Sequence, residues 1–310
     1  MPPRQATLSQ HKDRSTIRHF TRELMSKIID SIQDISKGDV IAELDDEGVL
    51  VTTFNRPEQM NSLNATLGQG LGAALAFASK EDSVRAMVLT GSGRAFCAGA
   101  EITPDRTPAD SSQESSDAVP SLPRHERLPH HNRSVSTALS FIKSDVPIIG
   151  AINGATAGAG FGMAMACDVR IAGKSARMGP IFFKRGIVSD YGVLWFLPRV
   201  VGSARAFEVM YHSDVMPYDK LLELGLVNRV VEDEDLLSEA IDYARRVAAG
   251  PPLAAAEIRR LLHSSLDTSG SAEQWLIHEW NAQAGLLKTS DAKEGFRSFV
   301  ERRAPDFKGY

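Results

Sequence analysis

The sequence predicts an α/β fold, and three observations carry that expectation. From Val40 onward, short segments of strand-like apolar patterning exchange with segments of helical spacing. Two stretches, 84–102 and 146–168, repeat one design: an apolar run, a turn, then a string of Gly and Ala. From Pro251 to the end, Ala, Leu and Trp recur at helical intervals, so the chain closes in a helical region.

In order, residues 1–24 are polar and basic, with Arg4, Lys12, Arg14, Arg18 and Arg22. They hold no apolar core of a secretory signal. Their Ser, Thr and Arg content fits an organellar targeting segment, and Met25 offers an alternative start; loose order is expected here. A short amphipathic helix is expected over 27–35. Val40–Leu44 and Val49–Phe54 flank Asp45-Asp46-Glu47-Gly48, which reads as a hairpin. A helix follows over about 65–79, then a strand over 86–90. Residues 103–123 are rich in Pro, Ser and Asp, so a mobile loop is expected, placed to cover a ligand tunnel. A helix over 135–141 leads into the apolar strand 148–152. Asn153-Gly154 marks a turn, and Met163–Ala166 read as a buried helix. A strand over 169–172 comes next, and then a helix beginning near Tyr191, with Ser189 or Asp190 as its cap. Short helices and the apolar run 226–231 fill 203–250. The expected units are an N-terminal extension, 1–38, partly disordered; a core, 39–235; and a C-terminal helical region, 236–310.

Composition excludes several classes. The net charge of −4 gives no basic excess for nucleic acid, and no run of eighteen apolar residues marks a membrane span. A cytoplasmic location is expected. Cys97 and Cys167 lie in small apolar runs and read as reduced and buried, forming neither a disulfide framework nor a metal site. Cys97 has no basic neighbour in sequence to make it a nucleophile. His125-Glu126 opens like a zinc-protease motif, but Pro129 stands where the second His belongs; His125, His130 and His131 read as solvated loop residues.

The Gly/Ala strings carry the chemistry. A strand, a turn and a helix start built from small residues leave unspent N–H groups, and the helix dipole makes the place positive. Gly158, Gly160 and Gly162 thus mark a site for a phosphate or for an oxyanion formed during reaction. The dinucleotide fingerprint fails, because Met163 takes its last Gly position. Taken alone, the stretch fits close helix–strand packing equally well. The second stretch, Phe96-Cys97-Ala98-Gly99-Ala100-Glu101-Ile102, adds another such bend, and two bends on adjacent strands can offer two N–H donors to one oxygen.

From about Val40 to the C-terminus the chain resembles the crotonase, or enoyl-CoA hydratase/isomerase, superfamily. The resemblance rests on Asn55-Arg56-Pro57, Phe96 to Glu101, Asn153-Gly154 through Cys167-Asp168, and Gly225-Leu226-Val227. It implies a crotonase-like spiral of ββα units with a C-terminal helical region, assembled as a trimer or a dimer of trimers. It also implies an acyl-CoA thioester as substrate, no separate cofactor since CoA is part of that substrate, and a place in acyl-CoA and fatty acid metabolism.

Residue by residue, the resemblance makes the N–H groups of Ala100 and Ala159 an oxyanion hole. Arg56, Ala98, Glu101, Ile102, Gly158, Gly162 and Phe182 would contact CoA or the acyl group, with Arg302 and Arg303 as further phosphate candidates. Glu101 replaces the more usual Asp. Two glutamates serve the family's hydratases; Gly162 and Phe182 stand in their positions. Asp190 falls where several isomerases and some hydrolytic or dehalogenating members carry a catalytic Asp, and Phe182, Phe183, Ile187 and Tyr191 would wall an apolar pocket around it. Val135 stands where dehalogenating members have a His. The expected activity is a double-bond shift in an enoyl-CoA. Hydration or thioester hydrolysis on the same scaffold, and CoA-ester binding without turnover, remain as alternatives.

Overall fold

The computed structural model describes residues 27–101, 133–265 and 271–310. Ten strands form two sheets among these residues: β1 (Val40–Leu44), β2 (Val49–Phe54), β3 (Ala86–Gly91), β5 (Ile148–Ile152), β7 (Val169–Gly173) and β10 (Arg229–Val231) in one, and β4 (Ala95–Cys97), β6 (Ala155–Ala157), β8 (Arg177–Gly179) and β9 (Met216–Pro217) in the other. The large sheet runs in the order β1-β2-β3-β5-β7-β10. Only β1 is antiparallel to its neighbour, joined by the hairpin that the alternation predicts, with Asp45 Oδ1 accepting from the Glu47 and Val49 amides. The C-terminal helices are Leu236–Ala248, Pro252–Ser265, Ala272–Leu286 and Ser290–Glu301.

Period-two patterning sorts the sheet's side chains into two cores. Val49, Ala86, Val88, Ile149, Ala151 and Ile171 face the Leu236–Ala248 helix, which buries Leu236, Ala240, Ala244 and Ala248 against them. Leu50, Phe54, Met87, Leu89, Ile148 and Ile152 point the other way, into a larger core with the Ala65–Lys80 helix and the second sheet. A strand covered on both faces must be apolar throughout, which is why β3 and β5 show no alternation. The Ala65–Lys80 helix starts where Asn64 Oδ1 accepts from the Leu67 amide. Segment 27–36 is helical and anchors through Ile32.

Two local expectations are corrected. Ala155–Ala157 is a strand of its own, β6, pinned between β4 and β8, and the buried helix begins at Ala159, four residues before Met163. Small side chains hid β6, because they carry no apolar periodicity. The next helix spans Val193–Val201 and not a start near Tyr191; Gly192 is its N-cap and no side chain caps it. Within 226–231, only Arg229–Val231 pair as strand.

One arginine ties the C-terminal helices to this frame. Arg259 is buried; its Nε donates to Asp168 Oδ2 at 2.8 Å, and its other nitrogens donate to the carbonyls of Phe141, Ile142 and Ser144. It thereby satisfies the open carbonyl end of the Arg133–Ile142 helix. Burial by itself raises the Asp168 pKa, but hydrogen bonds from His263 and Arg259, the Arg259 charge and the Ile148 amide hold it below the ordinary carboxylate range. Arg259→Ala should cost about 3–5 kcal/mol, because it strands both the carboxylate and the carbonyls. Urea unfolding checks this. Ionised Asp168 is favoured in the fold, so the loss should be full above the ordinary carboxylate range and shrink as pH falls through the lowered pKa.

Candidate active site

Three parallel strands position the site. In the small sheet β6 lies between β4 and β8 and runs parallel to both, so the segments leaving all three strands emerge at one rim. These are Ala98–Glu101 after β4, the Ala159–Ala166 helix after β6, and Ile181-Phe182 after β8.

The first two are brought into backbone contact by missing side chains. A Cβ on Gly160 would stand 2.0 Å from the Cys97 carbonyl oxygen. One on Gly99, where φ is +101°, would stand 2.8 Å from the Ala157 oxygen and 3.7 Å from the Ala159 nitrogen. Gly158 caps the helix at φ 54°, a conformation glycine adopts without strain.

Two N–H groups are left over at this contact. Leu63 bridges Ala100 in parallel register: its amide donates to the Gly99 carbonyl at 2.7 Å, and its carbonyl accepts from the Glu101 amide at 3.1 Å. The Ala100 N–H therefore points away from Leu63, and among the described residues it meets no backbone acceptor. Ala159 is the first residue of its helix, and its N–H likewise meets none. The helix dipole adds positive potential there.

The bend is held from behind. Asn61, fully buried, donates through Nδ2 to the carbonyls of Ser92 at 2.9 Å and Ala95 at 2.6 Å, while its Oδ1 accepts from the Arg56 amide. Asn153 donates to the carbonyls of Gly93 and Ala95. Asn153 is expected from sequence as a turn marker and part of the family motif, not as a tie to the bend, and an Asn two residues before the bend's bridge partner, Leu63, carries no visible signal. Arg56 turns inward: its guanidinium donates to the Ser62 carbonyl at 2.6 Å and to Glu101 Oε1 at 3.1 Å, and pairs with Asp39. Its side chain is 12% exposed.

The remaining expected residues divide. Gly158 lies beside Gly99 and Ile181, with Ile181 Cδ1 within 3.7 Å of where a Gly158 Cβ would be, Gly162 lies beside Tyr191, and Ala98 and buried Phe182 lie in the segments that leave β4 and β8. Ile102, the loop 103–123, His125, His130 and His131 lie outside the described residues. Arg303 is engaged by Glu294 and Glu301. Of the four side chains expected to enclose Asp190, Phe182 and Tyr191 are buried, but Phe183 and Ile187 are exposed in the single chain. Asp190 is itself accessible, and partial desolvation raises its carboxyl above the ordinary range against the opposing effect of its own amide. Its carbonyl accepts from the Val193 amide at 3.2 Å, so the residue enters the helix turn through its backbone and leaves the carboxylate uncommitted as a cap.

Cys97 is no nucleophile. Burial pushes its thiol up to about 12, despite the Gly99 amide that donates to it, and burial does the same for Cys167. Neither thiol should react with a soluble disulfide reagent at pH 8 in the native protein, and both should react in urea. A mass shift on the folded chain would contradict this.

The chain is similar to known proteins both in sequence and in fold. A family model described as enoyl-CoA hydratase/isomerase matches residues 45–310. A probable enoyl-CoA hydratase of Rhodobacter capsulatus is 36% identical over 263 residues, which cover 85% of this chain and 95% of that one. A 1,2-epoxyphenylacetyl-CoA isomerase of Escherichia coli is 33% identical over 264 residues, covering 85% and 96%. The crystal structure of an enoyl-CoA hydratase from Bacillus anthracis superposes with a TM-score of 0.77 at 28% identity, covering 88% of this chain and 100% of that one.

Proposed function

The chain belongs to the enoyl-CoA hydratase/isomerase family, and on that premise we propose that it is an enoyl-CoA isomerase with Asp190 as its proton carrier. The relatives' names divide between hydratase and isomerase, so family membership leaves the reaction to be argued from the residues. One observation carries the choice. The segment after β8 carries a partly desolvated carboxylate, Asp190, while by the family resemblance Gly162 and Phe182 stand in the positions of the two hydratase glutamates.

In this reading the thioester carbonyl lies between the Ala100 and Ala159 amides. Asp190 takes a proton from C2 of a 3-enoyl-CoA. The electron pair moves onto the carbonyl oxygen, where the two N–H groups stabilise the enolate more than the neutral ester. The pair then returns through the conjugated system and takes the proton back at C4. The double bond has moved from the 3,4 to the 2,3 position, and Asp190 is ionised again. A carboxyl raised toward neutral pH is a better base for that transfer. The family's hydratase-named members support a second reading, water addition on the same scaffold. Turnover of a 2-enoyl-CoA to the 3-hydroxy product would favour it. Binding of CoA esters without any turnover would favour a non-catalytic role.

Ala159→Pro is a clean probe of the oxyanion hole. Proline is tolerated at the first helical position, so the change removes little besides one N–H. Turnover should fall at least about 10²-fold; a folded variant with the wild-type rate would remove Ala159 from the mechanism.

Asp190→Asn should lower turnover by roughly 10²–10⁴ and abolish exchange of substrate protons with deuterated solvent, with CoA-ester binding kept. Because the fold raises the Asp190 pKa, ionised Asp190 disfavours folding. The Asn variant should melt no lower than wild type at pH 7, and the difference should vanish below the ordinary carboxylate range. A rate and exchange like wild type would end the isomerase reading.

The reading also makes the chain a trimer or a dimer of trimers, supported by apolar residues exposed along the C-terminal helices, among them Leu262, Trp280, Phe296 and Phe299. Light scattering at micromolar concentration should give a mass of three or six chains, and a mass near one chain would contradict it.

A further inference from the structure

Gly162 is where the family's hydratases are expected to carry a glutamate, and the space beside it is already filled. A Cβ on Gly162 would stand 2.8 Å from Tyr191 Cβ, 2.9 Å from the Tyr191 carbonyl oxygen and 3.2 Å from Val193 Cγ2. Contacts under 3 Å to backbone and Cβ atoms cannot be relieved by turning a flexible side chain. The turn that presses there is itself strained. Tyr191 has φ 49° and Gly192 has φ 74°, two successive left-handed residues, and the first is a bulky side chain only 8% exposed. Its far side is closed too, since a Cβ on Gly192 would meet Phe196 Cε2 at 2.7 Å and Ala138 Cβ at 3.3 Å. The turn is thus clamped between the Ala159–Ala166 helix, one turn past its first N–H, and the Arg133–Ile142 helix. Asp190 is the residue that enters this clamp.

We propose that Gly162 is a positioning and specificity-determining residue: its bare face admits the Tyr191 turn, which sets the Asp190 carboxylate against the substrate and leaves no room for a second acid. The inference rests on Asp190 being the proton carrier. It makes the missing glutamate an exchange rather than a loss. One helix position holds either an acid of its own or the turn that delivers Asp190, and a side chain restored at 162 displaces Asp190.

The electrostatics agree with this placement. Among the described residues no ionised neighbour contributes to the raised Asp190 pKa; burial raises it, and the residue's own amide opposes. Among the elements packed on the turn, Ala159–Ala166 holds no ionisable residue, Arg133–Ile142 holds Arg133, and Val193–Val201 holds Arg199, whose guanidinium stacks 3.5 Å over the Trp195 ring. Moving the turn toward solvent should therefore let the carboxyl relax toward its ordinary value.

The test compares Gly162→Ala with Gly70→Ala. Gly70 is crowded in the same way, its Cβ meeting Ser36 Cβ at 2.5 Å and Val40 Cβ at 2.9 Å, but its neighbours are the 27–36 helix and β1 and not the Tyr191 turn. The probes are 3-hexenoyl-CoA for turnover, hexanoyl-CoA for binding, and carbon-13 titration of the Asp190 carboxyl. Gly162→Ala should lose at least about 10-fold in kcat, as a displaced catalytic group does, with hexanoyl-CoA affinity kept within about 3-fold. Its Asp190 titration and the acid limb of its kcat profile should both move down toward the ordinary carboxylate range. Gly70→Ala should lower the melting temperature and leave all of these unchanged. If Gly162→Ala does not fold, Tyr191→Gly, which frees the turn and keeps Gly162 bare, should give the same loss and the same downward titration. A wild-type kcat and titration in the folded variant, or equal effects in Gly70→Ala, overturns the proposal. Asp190→Asn run in parallel separates the two ideas. A wild-type rate in that variant sinks the isomerase reading and this proposal with it, whereas a loss there with none in Gly162→Ala sinks this proposal alone.

Discussion

The site depends on one contact of backbone against backbone. The first turn of the Ala159–Ala166 helix lies on the bend that follows β4, with no side chain between them, because Gly160 faces the Cys97 carbonyl and Gly99 faces Ala157. Any side chain at these positions would push the two segments apart and separate the Ala100 and Ala159 amides. Local glycine chemistry alone would leave so bare a contact free to slide. Asn61 and Asn153 prevent that by drawing the Ala95 carbonyl from two sides, and the Leu63 bridge fixes the other end of the bend.

Arginine does the corresponding work at longer range. Arg56 gathers Asp39, Ser62 and Glu101 behind the bend, and Arg259 gathers Asp168 and three carbonyls beneath the C-terminal helices. A planar guanidinium suits both places, since its fixed fork of donors can satisfy several acceptors that no single amide reaches. These two charged groups thus serve as internal ties, while the contact between the bends is furnished with backbone dipoles. Preorganised dipoles of that kind need no rearrangement when charge develops on a bound oxygen.

Much of this was legible in the residues, for reasons that differ by element. The β1–β2 hairpin and the strands β3, β5 and β7 announced themselves through apolar patterning, which burial on one or both faces imposes. The two Gly/Ala bends were visible because close backbone approach excludes side chains, and exclusion leaves a compositional trace. β6 was not visible, since Ala155-Thr156-Ala157 is too small and too short to show a period. The cap expected of Ser189 or Asp190 failed because Gly192, in a left-handed conformation, starts the helix two residues later, and no local pattern distinguishes the two starts. Asn61 was missed because its partners, Ser92 and Ala95, lie more than thirty residues away in sequence. The Gly162–Tyr191 contact needed the fold itself: Gly162 in a Gly/Ala string reads as more of the same until its neighbour is known.

Ile181 leads into the segment after β8 with φ 54°, a backbone shape that a β-branched residue adopts only at a cost. Its side chain lies over Gly158, at the cap of the helix whose first N–H faces the rim. Laboratory selection for heat resistance would find this position early, because Gly or Asn there relieves the strain without touching the core. Such variants would gain robustness while stripping the cap of its apolar cover. Backbone ease and cover of the helix cap thus pull in opposite directions at a single codon.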